Sequence, residues 1–185
     1  AIRAPVLAEL VENNSKSKEV AIDNVDKAVF QSLLQYVYAE ELPPHEEMKM
    51  IARELLEAAD RFGCITLKLL LEAEIAKSGI KASDAADVLL DADARSCALL
   101  KEEALKAITA NPNTAMSSPS WVNLEQSAAL MAEVMRAIVS KPCCTGESDY
   151  GNMDVSTLRR KLDEAGMSVD GTKDMLVKRL ESHHR

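Results

Sequence analysis

Residues 20 to 43, VAIDNVDKAVFQSLLQYVYAEELP, admit few folds. Val20 and Ile22 alternate about a small Ala21, the pattern of a short strand. Asp23, Asn24 and Asp26 break that strand and offer a helix N-cap, so a buried helix starts near Asp26. Val29, Phe30, Leu33, Leu34, Val37 and Tyr38 then recur at helical spacing and predict one buried face. Acidic residues and Pro43-Pro44 stop the helix, because proline lacks an N–H and restricts the residue before it.

The helical half of that pattern recurs along the chain. Pro5 stands near a helix start, with Val6, Leu7, Leu10 and Val11 on one face, and a polar turn follows from Asn13 to Lys18. Met48, Ile51, Ala52, Leu55, Leu56 and Ala59 form a second stripe, closed at Gly63, which suits a left-handed C′ position. Leu67, Leu70, Leu71 and Ile75 continue to Gly79. Asp84 and Ser96 stand where helix caps belong. The first precedes Ala85, Val88, Leu89 and Ala92; the second precedes Leu99, Leu100, Ala104, Leu105 and Ile108. Leu130, Met131, Val134, Met135 and Ile138 complete the region. Apolar residues make up 47% of the chain but aromatics only 3%, so the expected core is Leu, Ala, Val and Ile in a mainly α protein.

Several function classes are excluded by what the sequence does not offer. The net charge of −8 argues against a chain that is basic throughout and binds nucleic acid along its length. The charge is uneven: from Met153 onward seven Lys and Arg meet six Asp and Glu, which leaves −9 on the remainder. No apolar run approaches the ~18 residues that span a bilayer, and no secretory leader is visible, so no membrane partner is expected. Cys64 and Cys97 sit among apolar residues as small hydrophobes, and Cys143-Cys144 fall in a loop. Without a C-x-x-C pair or a histidine at ligand spacing, no metal site is expected. The reading is a reduced intracellular setting, nucleus or cytoplasm. No glycine-rich phosphate loop and no sequence-paired cysteine and histidine appear, so no catalytic residue and no cofactor are assigned.

Residues 140 to 152, SKPCCTGESDYGN, lack periodicity and read as a linker. Beyond them, Met153 to Leu180 divides into helix, loop and helix. Asp154 caps the first helix, with Val155, Leu158 and Leu162 facing inward, and Gly166 ends it. Gly171-Thr172 starts the second, with Met175, Leu176 and Leu180 inside. Backbone N–H groups at that start, beside Lys173, favour a phosphate, and Arg159, Arg160, Lys161, Lys178 and Arg179 add cationic reach. No aromatic residue is present for base stacking, and nearby acids leave the segment almost neutral, so the expected binding is weak.

The wording of these segments resembles known families. IDNV, VFQSLLQYVY and ELP, followed by LLEAADRFGC and Leu67-Lys68, resemble the BTB/POZ adaptor family. AADVLLDAD, SCALLK and SPSW resemble the BACK-like helices that follow the BTB domain in its speckle-type members. MDVSTLRRKLDEAGMSVDGTKDMLVKRL resembles the SAP domain. Together they imply the C-terminal part of an α/β BTB domain over 1–78, a BACK-like helical module over 79–139, the linker, and a SAP domain over 153–182. A BTB domain carries strands and a helix ahead of this start, so the resemblance implies a fragment. It also implies a non-enzymatic substrate adaptor of a cullin-3 ubiquitin ligase, dimerising through its BTB and BACK-like parts. Leu10-Val11-Glu12 match the family's hydrophobic-x-Glu cullin motif in the turn after the first helix. Gly171, Thr172 and Lys173 with the cations named above match the SAP surface for DNA or RNA. The alternative is a BTB-dimerising chromatin or transcription scaffold. The substrate protein is not legible.

Overall fold

A computed structural model describes residues 4–13, 22–139 and 150–183, and the chain divides into two compact units between Ile75 and Ala76. The described residues are mainly helical and contain no strand, only one isolated bridge between Cys97 and Gly171. Val20 and Ala21 of the expected strand lie outside the described residues, and Ile22 is irregular.

The first unit holds α1 (Pro5–Asn13), α2 (Lys27–Ala39), α3 (His45–Arg61) and most of α4 (Ile65–Ser78). Of the three cap candidates, Asp26 caps α2: its carboxylate accepts the Ala28 N–H at 2.7 Å. The buried face of α2 is Val29, Ser32, Leu33 and Tyr36. Tyr38, expected inside, is 83% exposed. At about 100° per residue, Tyr36 returns to within about 20° of Val29, whereas Tyr38 falls on the opposite side. Ser32 satisfies its hydroxyl on the Ala28 carbonyl at 3.0 Å. Phe30 meets Phe62 with ring centroids 5.7 Å apart, a tilted pair that joins α2 to the end of α3.

The end of α3 shows how a short reversal is made without stranding backbone groups. Gly63 has φ +72°, and its N–H reaches the Asp60 carbonyl at 3.1 Å. The Cys64 N–H reaches the Ala59 carbonyl at 2.8 Å, completing a Schellman cap. A Cβ at Gly63 would stand 3.3 Å from Pro5 Cγ, so this glycine also lets α1 approach. In α4, Leu67 and Leu71 are buried together with Lys68 and Glu72, while Leu70 is exposed. Lys68 Nζ lies 2.9 Å from Asp60 Oδ1, which compensates part of the cost of burying its charge.

The second unit continues with α5 (Ala85–Ala94), α6 (Ala98–Ala110), α7 (Pro112–Met116), α8 (Trp121–Glu125) and α9 (Ala128–Val139). A 3₁₀ turn at Tyr150–Asn152, α10 (Val155–Glu164) and α11 (Lys173–His183) complete it. Helix α6 is the hub, packing against α5, α7, α9 and α10. Its inner face is Ala98, Leu100, Ala104 and Ile108, and its small residues let neighbours approach. Two expected caps differ. Asp84 makes no cap hydrogen bond and instead accepts the Ser83 hydroxyl at 2.9 Å. Ser96 is not the cap of α6 but the C′ residue of α5, at φ +55°. It repeats the α3 cap: the Ser96 N–H reaches Asp93 at 3.2 Å and the Cys97 N–H reaches Ala92 at 2.8 Å. On α9, Leu130 and Val134 are buried, whereas Met135 and Ile138, expected inside, are exposed.

The same cap carries glycine at one place and serine at the other, so opposite substitutions should act in opposite directions. Gly63→Ala should destabilise by about 1–3 kcal/mol through positive φ and crowding at Pro5, and Ser96→Gly should stabilise by about 0.5–1 kcal/mol. Urea denaturation of the two variants checks both signs.

Candidate nucleic-acid interface

Helix α10 starts at a doubly capped end. Asp154 accepts the Thr157 N–H at 3.0 Å and the Thr157 hydroxyl at 2.8 Å. These bonds, the hydroxyl's foremost, hold the Asp154 carboxyl below its usual range. The second cap comes from α6: Glu102 Oε2 accepts the Val155 N–H at 2.9 Å. Glu102 Oε1 meets Lys106 Nζ at 2.9 Å. The hydrogen bond to Glu103 first, then the one to Glu102, outweigh burial and hold the Lys106 ammonium well above the usual lysine range. Gly166, at φ +69°, closes α10 with a further Schellman cap, its N–H on Asp163 at 2.9 Å and the Met167 N–H on Leu162 at 2.8 Å.

The hairpin core is Val155, Leu158, Leu162, Leu176 and Leu180, with Ala98 from α6 buried among them. Leu99, expected on the core face of α6, packs against this cluster instead. Met175, expected inside, is 45% exposed, and its thioether covers Gly171. The hairpin is therefore seated on α6. The 3₁₀ turn at Tyr150–Asn152, at the end of the expected linker, packs against α11; residues 140–149 lie outside the described residues.

The expected cations divide into two groups. Arg159 Nε donates to the Val169 carbonyl at 3.1 Å. Arg179 Nη1 donates to the carbonyls of Ser168, at 3.0 Å, and Asp170. Both arginines therefore strap the loop between α10 and α11. Arg160 pairs with Glu164 at 2.8 Å on an exposed face. Gly171 is buried, at φ +117°, and its backbone is bridged to Cys97. Lys161, Lys173 and Lys178 have no ion-pair partner among the described residues.

Thr172, Lys173 and Lys178 line a cleft of about 680 Å³ between α11 and the α6–α9 face; Arg159, Arg160, Lys161, Gly171 and Arg179 do not. Its other wall carries Lys101, Glu102, Leu105, Glu133 and Arg136. Lys101 is held by Asp93 at 2.7 Å and Glu133 at 2.9 Å. Burial pulls its pKa down, but those bonds outweigh burial and leave it raised. Nothing in the local sequence marked Ala98, Glu102 or Arg136 as part of this region, because each sits in an ordinary helical pattern.

Leu10, Val11 and Glu12 lie in the last turns of α1 itself, in the first unit, rather than in a turn beyond it. Leu10 is half-buried; Val11, at 57%, and Glu12 are exposed. Among the described residues, no group of acidic, histidine or cysteine side chains is placed to hold a metal ion, and no helix is long and apolar enough to cross a membrane.

Comparison with known proteins gives two domain matches: the BTB/POZ domain at residues 1–79 and the SAP domain at 149–183. TD and POZ domain-containing protein 1 of Mus musculus is 28% identical over 147 residues, which cover 77% of this chain and 40% of the relative. TD and POZ domain-containing protein 3 of the same organism is 29% identical over the same shares. The chain thus spans about two fifths of the length of the curated relatives it matches.

The capping geometry sets a pH dependence. Asp154 has a folded pKa below its unfolded value, so its contribution is complete above the unfolded pKa and is lost as pH falls through the folded one. Asp154→Ala should cost about 0.5–2 kcal/mol at neutral pH and flatten the acid limb of stability below about pH 4. Thermal melts of both proteins across that range check it.

Proposed function

We propose that this chain, which carries BTB/POZ and SAP domain sequence, is a non-catalytic adaptor that joins a cullin-3 ubiquitin ligase through its BTB part and nucleic acid through its SAP hairpin. The observation that carries the reading is the presence of both domain matches in one chain. The chain transfers nothing itself; the ligase's catalytic partners act on the protein it holds. Exposed Val11 and Glu12 beside half-buried Leu10 supply an apolar and a charged contact at the end of α1, which suits the cullin motif. Exposed Met135, Ile138 and Val139 on α9 support self-association of the BACK-like part. Nuclear or cytoplasmic residence follows from the proposed partners.

Duplex DNA or RNA binds at the start of α11, where Lys173 stands beside the first backbone N–H groups. The division of cations lowers the expected number of phosphate contacts, since Arg159 and Arg179 are spent on the loop. The second reading, a BTB-dimerising chromatin or transcription scaffold, is favoured by the same exposed apolar residues, which serve self-association without any cullin.

Two measurements test the pair. Leu10→Ala with Glu12→Ala should weaken cullin-3 binding by at least about tenfold in calorimetry while self-association survives; unchanged or absent cullin binding leaves the scaffold reading. Lys173→Ala should weaken DNA binding in a protein that stays folded. With about three phosphates neutralised, affinity should fall roughly fortyfold between about 50 and 200 mM salt. Salt-independent binding would remove the nucleic-acid role.

A further inference from the structure

The cleft beside α11 has a second wall that no hairpin supplies, and its charges can be sorted by what already satisfies them. Lys101 is engaged by Asp93 and Glu133. Glu102 is engaged by Lys106 and the Val155 N–H. These groups are neutralised inside the protein and offer little to a ligand. Arg136 differs. It is exposed on α9, and its Nε donates to the Ala132 carbonyl of its own helix at 3.2 Å. That bond fixes the guanidinium without consuming its outer nitrogens, and no carboxylate pairs with it among the described residues.

Arg136 lines the same cleft as Lys173 and Lys178. Once the internal pairs are set aside, three cations, Arg136 from α9 and Lys173 and Lys178 from α11, share this space with Asp174 and Glu181 of α11. Arginine's planar fork is suited to a phosphate and loses little freedom when already anchored through Nε. We propose that Arg136 is a phosphate contact of the nucleic-acid site, so that the site is a cleft completed by α9 rather than a surface of the hairpin alone. The inference rests on the nucleic-acid reading above and goes beyond the residues of the SAP domain. The ligand chemistry is a phosphodiester backbone, which duplex DNA and RNA share.

The test is fluorescence anisotropy of the full chain with a labelled A·T-rich DNA duplex and, in parallel, the same sequence as an RNA duplex. Arg136→Gln should weaken binding by about three- to tenfold and reduce the slope of log affinity against log salt by about 0.9. Arg136→Lys should recover most of the loss and the slope, since it restores the charge. Lys173→Gln is measured alongside. If Lys173→Gln weakens binding and Arg136→Gln does not, the nucleic-acid reading stands and the role of Arg136 is overturned. If Arg136→Gln weakens binding with an unchanged salt slope, or Arg136→Lys recovers nothing, its role is structural and the proposal is also overturned. If neither charge matters on either duplex, the nucleic-acid reading falls and the proposal with it. The ratio of DNA to RNA affinity states which backbone the cleft takes.

Discussion

Glu102 and Ala98 of α6 carry the seating of the C-terminal hairpin. A segment of about thirty residues is near the lower limit for burying a core of its own. Here the deficit is met from outside the hairpin: Ala98 enters the leucine cluster, and the Glu102 carboxylate accepts the Val155 N–H that the start of α10 leaves open. Glu102 in turn is held by Lys106. One helix thus fixes the hairpin's packing and one of its orphan donors. The cleft follows from that seating, because it puts the α11 face carrying Lys178 opposite Arg136.

Tight reversals make the rest possible. At the ends of α3, α5 and α10 the chain turns through a left-handed residue and closes its last carbonyls with the same pair of backbone bonds. The cap keeps connections short, and α5 packs on α6 and α10 on α11 as neighbours. At Gly63 the absent side chain also gives Pro5 room, and at Ser96 the motif tolerates a Cβ at some conformational cost.

The distribution of cations shows why a count of Lys and Arg overstates a binding surface. Arg159 and Arg179 hold carbonyls of the loop between α10 and α11, which gives that loop a fixed course without regular structure. Arg160 is balanced by Glu164 one turn on. Lys161, Lys173 and Lys178 keep their charge for solvent or a ligand, and only the last two share the cleft with Arg136. A modest, salt-sensitive interface is what such a set can support.

The sequence by itself determined the helical class, the Asp26 and Asp154 caps, the stops at Gly63 and Gly166, and most of the buried stripe of each helix. These are local matters: side-chain period and cap chemistry act within a turn or two of the chain. It also carried the BTB/POZ and SAP likenesses, which rest on contiguous stretches. What it missed are choices between faces that a single helix leaves open. Tyr36 rather than Tyr38 turns inward, and Leu99 serves the hairpin rather than the α6 core face. Met135 and Ile138 stay outside because α9 buries only the Leu130–Val134 edge. The partnership of Ala98 and Glu102 with the hairpin, and the cleft that Arg136 shares with α11, were decided by tertiary structure alone. Those pairings bring together residues some tens of positions apart, and no local period or cap signal encodes which distant helix will occupy an exposed face.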